Sequence, residues 1–181
     1  MIFLKSPGGS GTRFLYSVFG KKNLCGGRDW FNPHQRICEH LPEESKVFYV
    51  MAHPLNILLS FEKEGFFNDP HYAMIKNIQG DMNSFANGKI KSVYDYAERG
   101  INCFNFKDHF EQNLKMFPNM QLLIYENLAT EIELIDLQMI EPKPFVMRRS
   151  DYTKENPEFI RKLREIHKED IDFYHSLTRL T

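Results

Sequence analysis

Ile2-Phe3-Leu4-Lys5-Ser6-Pro7-Gly8-Gly9-Ser10-Gly11-Thr12-Arg13-Phe14-Leu15-Tyr16-Ser17-Val18-Phe19-Gly20 is the stretch on which the fold turns. Ile2, Phe3 and Leu4 form a short apolar run that reads as a buried strand. Ser6 to Gly11 breaks that run with a proline and glycines, the composition of a loop. From Thr12 onward, Phe14, Leu15, Val18 and Phe19 recur at helical spacing until Gly20 stops them. The order is strand, glycine-rich loop, helix. In such a loop backbone N–H groups turn readily on an anion, and the helix N-terminus adds its partial positive charge. Ser10 and Thr12 bring hydroxyl donors, and Arg13 brings a guanidinium fork suited to phosphate or sulfate oxygens. The Walker pattern G-x-x-x-x-G-K-[ST] is not met, because Gly11 rather than a lysine precedes Thr12, and an ordinary ATPase or GTPase is disfavoured.

Further along, Val47-Phe48-Tyr49-Val50-Met51 and Gln121-Leu122-Leu123-Ile124-Tyr125 read as two more buried strands. Helical spacing is predicted over Leu55 to Phe67, Val93 to Arg99, Phe106 to Met116 and Ile132 to Leu137. A closing helix starts at Asn156-Pro157, with Phe159, Ile160, Leu163, Ile166 and Ile171 on its apolar side. Residues 77–91 are polar and read as a loop. Short apolar strands alternating with helices imply an α/β fold, a parallel sheet with helices on both faces. The 181 residues suit a single domain, 1–181.

Lys and Arg number 23 and Asp and Glu 24, a net charge of −1, which argues against a broad face for nucleic acid or anionic lipid. Cys25, Cys38 and Cys103 show no CxxC spacing, and the histidines no HExxH, so neither a disulfide framework nor a metal site is expected. No apolar run reaches the ~20 residues of a membrane span, and the start lacks a secretory pattern, so a cytoplasmic protein is expected.

Five segments, in order, resemble the sulfotransferases that use 3′-phosphoadenosine 5′-phosphosulfate (PAPS). Ser10-Gly11-Thr12-Arg13-Phe14-Leu15 looks like their 5′-phosphosulfate loop, PKSGTTWL or KGGTRAL. Glu39-His40-Leu41-Pro42 is similar to the THLP segment. Val47 to Phe61 resembles the 3′-phosphate segment, IIYVxRNPxDVxVSYY, and Leu123-Ile124-Tyr125-Glu126-Asn127-Leu128 the LxYEDL strand end. Lys162 to Tyr174 is similar to the closing helix.

The resemblance implies a P-loop NTPase-like sheet and an in-line transfer of a sulfuryl group from PAPS to an acceptor hydroxyl or amine, with no metal. It implies His40 as general base, with Glu39 as the alternative, and a 5′-phosphosulfate held by Gly8, Gly9, Ser10, Gly11, Thr12 and Arg13. Phe14 falls where an adenine-stacking ring is found, though core packing is an equal reading. Ser60 aligns with a 3′-phosphate serine, and Arg148 and Arg149 with a late basic segment. The family lysine aligns with Gly9 and the 3′-phosphate arginine with Ala52. Lys5 and Arg13 are the candidates to restore charge at the first position, and His53, if protonated, at the second. The missing charges motivate one competing reading, a degenerate nucleotide- or PAP-binding module (PAP being the desulfated product); another phosphate-handling enzyme, a divergent P-loop kinase, is the third. The acceptor is not named by any motif.

Overall fold

The computed structural model describes residues 1–25, 33–34, 41–68, 88–135 and 150–179. In chain order its elements are β1 (Ile2–Lys5), α1 (Thr12–Phe19), β2 (Lys46–Met51), α2 (Pro54–Lys63), α3 (Val93–Arg99), α4 (Phe106–Met116), β3 (Gln121–Ile124), α5 (Leu128–Glu131), α6 (Pro157–Ile166) and α7 (Lys168–Thr178). The fold is α/β, with a three-stranded parallel sheet in the order β1-β2-β3. Lys5 lies opposite Tyr49, and Met51 opposite Ile124, so all three carboxyl ends point to one edge. Ligands of open parallel sheets collect beyond that edge. The chain forms two compact units, Met1–Ala52 with His109–Arg148 and His53–Asp108 with Arg149–Thr181.

The first unit holds the sheet. Ile2, Leu4, Phe48, Val50 and Leu123 share a core with Leu15, Val18 and Phe19 of α1. Phe3 and Val47 point the other way, toward Cys25, Phe117 and Met120. On that same face Phe110 of α4 meets Tyr49 edge-on at 5.0 Å. Cover on both faces explains why β1 is buried at every position, its apolar Ile2, Phe3 and Leu4 as well as Lys5. Burial of each of the three apolar side chains contributes about 1.5–3 kcal/mol. Outside β1, Cys25 makes an antiparallel bridge to Phe3, and the Leu4 N–H donates to the Leu24 carbonyl at 3.2 Å.

The second unit is helical with an aromatic core. Phe61 stacks on Phe66 (4.9 Å), Phe104 on Phe106 (5.7 Å) and Phe106 on His167 (5.5 Å). Glu62 accepts the Val93 N–H at 2.7 Å, tying the start of α3 to α2. The helix expected over Leu55 to Phe67 ends at Lys63; Gly65, at φ 72, turns the chain into a 3-10 turn at Phe66–Asn68. The helices over Val93–Arg99 and Phe106–Met116 have the expected bounds. Of the helix expected over Ile132 to Leu137, residues 132–134 form a 3-10 turn and 136–137 lie outside the described residues. Only 88–91 of the polar segment 77–91 are described.

The single closing helix expected from the sequence is two helices, α6 and α7, parted at His167 (φ −103, ψ 23). The cause is a buried polar network. The His167 ring is fully buried, with Nδ1 donating to Asp170 and Nε2 bonded to the Tyr96 hydroxyl, both at 2.8 Å. Drawing this ring inward costs the chain its helical path at one residue. Among the described residues no helix is long and apolar enough to cross a membrane.

Candidate functional site

The loop after β1 sits at the carboxyl edge of the sheet, and its geometry follows from its glycines. Gly8, Gly9 and Gly11 have φ of 90, 61 and 83. Gly11 caps α1 in the left-handed conformation, so no N-cap side chain takes up the first-turn N–H groups, and no acidic residue lies in that turn. Neither the cap nor the first turn of α1 thus supplies a side chain that answers the positive end of the helix dipole. A Cβ at Gly11 would overlap the Tyr125 ring. The loop and the strand end of β3, matched separately in the sequence, are thus in contact.

Ser6, Ser10 and Thr12 are buried, and Arg13 is exposed. The Ser10 hydroxyl donates to the Gly8 carbonyl at 2.9 Å, and the Gly8 N–H donates to Ser6 Oγ at 3.2 Å. Ser10 must turn its hydroxyl away from Gly8 to serve an anion. Phe14 is half-buried and packs on the core shared by β1 and α1. Lys5 is completely buried at the end of β1. Gly9, at φ 61, sits where any side chain costs about 1–2 kcal/mol. The loop's shape and a lysine at that position work against each other. Ala52 is fully buried.

Ser60 and His53 belong to the second unit. Ser60 is half-buried in α2. His53 caps α2, its Nδ1 accepting the Leu55 N–H at 3.3 Å. Its ring stacks on Tyr152 at 4.5 Å and meets Tyr174 and His175 edge-on. Burial, then the neighbouring His175 and Arg164, push its pKa down to about 4. His53 is therefore neutral near pH 7 and meets an oxyanion there only as a neutral donor. Glu39, His40, Arg148 and Arg149 lie outside the described residues. Phe66 and Phe67 are buried core residues.

One histidine that no motif singled out lies on the loop. His34 Nδ1 is 3.0 Å from Ser6 Oγ and 3.2 Å from the Ser6 carbonyl oxygen. The Ser6 N–H donates to the Pro33 carbonyl at 3.0 Å. The His34 carbonyl accepts from His109 Nε2 at 3.2 Å, and His109 Nδ1 is 2.6 Å from the Tyr49 hydroxyl. Sequence spacing offers no sign of this group, because its partners lie on β1, β2 and α4. No family model matches this chain, and neither does any curated protein or solved structure.

Proposed function

We propose that this protein is a small PAPS-dependent sulfotransferase, moving a sulfuryl group from PAPS to an acceptor hydroxyl or amine. The observation that carries the reading is the loop from Ser6 to Gly11, with left-handed glycines, opening α1 at the carboxyl edge of a parallel sheet. Amides and hydroxyls so placed suit a multiply charged oxyanion, each charge-assisted bond contributing roughly 1.5–3 kcal/mol. Ser10, Thr12 and Arg13 would hold the 5′-phosphosulfate, with Phe14 beside it. The proton of the acceptor would go to His40 or Glu39. In-line transfer of this kind depends mainly on positioning and on charge stabilisation of the leaving phosphate.

The absence of a side chain at Gly9 and of a charge at Ala52 favours a second reading, a module that binds PAP without turnover. Thermal unfolding with PAP and with ATP separates nucleotide classes. Stabilisation by PAP alone supports the sulfonucleotide reading, and stabilisation by ATP alone replaces it with a kinase. Transfer of labelled sulfate from PAPS to 4-nitrophenol (a hydroxyl) or glucosamine (an amine) then separates enzyme from module.

A further inference from the structure

We infer that His53 is an acid-sensitive clasp, whose protonation releases the C-terminal half of α7 from α2 while the N-terminal half stays anchored. The device lies wholly in the second unit and is independent of the proposed reaction.

The buried residues of α7 are Asp170 and Tyr174, one turn apart, and they are held in different ways. Asp170 accepts hydrogen bonds from His167 Nδ1, Asn102 Nδ2 and the Lys107 N–H. Burial pushes its carboxyl up, but these bonds more than reverse that, so it stays ionised at pH 4.5. Tyr174 instead meets the His53 ring edge-on at 5.2 Å. His175, next along the helix, meets the same ring at 5.7 Å. The first anchor thus withstands mild acid, whereas the second depends on an imidazole.

Neutral His53 accepts the Leu55 N–H at Nδ1, so its own hydrogen is on Nε2 and the ring caps α2. The ring also stacks on Tyr152 at 4.5 Å, with the two planes 24° apart. The Tyr152 N–H donates to Asn56 Oδ1 at 3.3 Å, which ties the 3-10 turn Tyr152–Lys154 to α2. His53 therefore joins α2, that turn and α7. A proton arriving at Nδ1 removes the acceptor of the Leu55 N–H and sets donor against donor. It also places a positive charge on a buried ring, at the positive end of the α2 dipole.

Among the described residues, the titratable and charged groups that face the ring are Tyr152 from the turn, Arg164 from α6, and Tyr174 and His175 from α7. None of these is anionic at neutral pH, and Arg164 is always cationic. Stacking on Tyr152 offsets part of the cost of a charged imidazole, but the Arg164 guanidinium already lies 5.7 Å from that ring's centroid. His175 adds a like charge once it binds a proton. Burial first, then His175 and Arg164, push the His53 pKa down to about 4. Opening lets the ring take its proton at the ordinary value of about 6.5. The clasp is therefore closed above pH 6.5, and opening grows as pH falls from there toward 4. Once released, so short a stretch of chain does not hold a helix by itself, and it unwinds.

Hydrogen–deuterium exchange of the full chain at pH 7.5 and pH 4.5, corrected for the intrinsic rate at each pH, tests this. Protection of the amides of residues 173–178 is expected to fall by up to about 70-fold, the ratio that the closed and open pKa values allow. At pH 4.5 the amides of α6 are expected to stay better protected than these. His53→Asn keeps an oxygen to cap α2 and does not titrate, so its protection at 173–178 should be the same at both pH values. Constant protection in the wild type overturns the inference, as does the same fall in His53→Asn. Amides of α6 that exchange as fast as 173–178 at pH 4.5 also overturn it, because the loss is then not local. Nitrogen-15 NMR of the wild-type ring needs no variant. It should show His53 as the Nε2–H tautomer at pH 7.5, gaining its second proton over the range in which 173–178 lose protection. An Nδ1–H tautomer, or a ring that titrates with no change in α7, overturns the inference.

Discussion

Gly11 meets two demands at one residue. Its φ of 83 lies where a side chain is strained, and the Tyr125 ring occupies the space a Cβ would take. Gly100 meets only the first: its φ is 70 and nothing lies within 4 Å of its Cβ position. Gly100→Ala is expected to cost about 1 kcal/mol, and Gly11→Ala at least twice that, roughly 2–4 kcal/mol. Urea midpoints of the two variants check this, and equal losses would show that Tyr125 yields freely. His53 makes a pH-dependent prediction. Its folded pKa, about 4, lies below the ordinary 6.5, so the unfolded chain binds more protons between those values. Its contribution is complete above pH 6.5 and is lost as pH falls toward 4, about 3 kcal/mol in all. His53→Asn keeps a good helix cap and should flatten the urea midpoint between pH 7 and pH 4.5 relative to wild type. The same slope in both proteins would assign that pH dependence to other groups.

At the scale of elements, local signals were legible and distant ones were not. α1 runs from Thr12 to Phe19, as its apolar spacing and Gly20 predict, because every cue lies within the helix or next to it. The break at His167 is invisible in the sequence, since Ile160, Leu163 and Ile166 continue an apolar stripe straight up to it. The force responsible comes from Tyr96, 71 residues away. His34 escaped notice for the same reason, its partners being 28 and 75 residues distant. The glycine loop was legible because its conformation is written in adjacent residues. The network around His167 makes a graded prediction. Burial pushes the Asp170 carboxyl up, but His167, Lys107 N–H and Asn102 more than reverse this and hold it below the usual range. Asp170 accepts from His167 Nδ1, Asn102 Nδ2 and the Lys107 N–H. Asp170→Asn loses the charge and leaves too few lone pairs for those donors, and should cost about 3–5 kcal/mol. Tyr96→Phe orphans the Cys103 N–H and His167 Nε2, at roughly 1–3 kcal/mol per group. Calorimetric melting should therefore place both variants clearly below wild type. An Asp170→Asn variant that melts with wild type would mean that the carboxylate is dispensable to the junction of α6 and α7.

For the whole molecule, a net charge of −1 gives an anionic nucleotide little attraction from a distance. Any affinity has to come from the amides, hydroxyls and cations of the loop at close range. If the sulfonucleotide reading holds, PAP at 100 times its dissociation constant stabilises the fold by about 2.7 kcal/mol. In a chain of this size that raises the melting temperature by roughly 5–10 °C. A smaller shift at that ratio would argue that the unfolded chain binds PAP as well. The covered flank of β1 reaches further than the site. A bare parallel strand invites a foreign strand to add to it, and copies of one chain are the nearest supply. Here the segment returning from α1 occupies that place through Leu24 and Cys25. The turn of chain that presents the glycines also comes back to seal the sheet, so loosening it would risk self-association along with any loss of ligand.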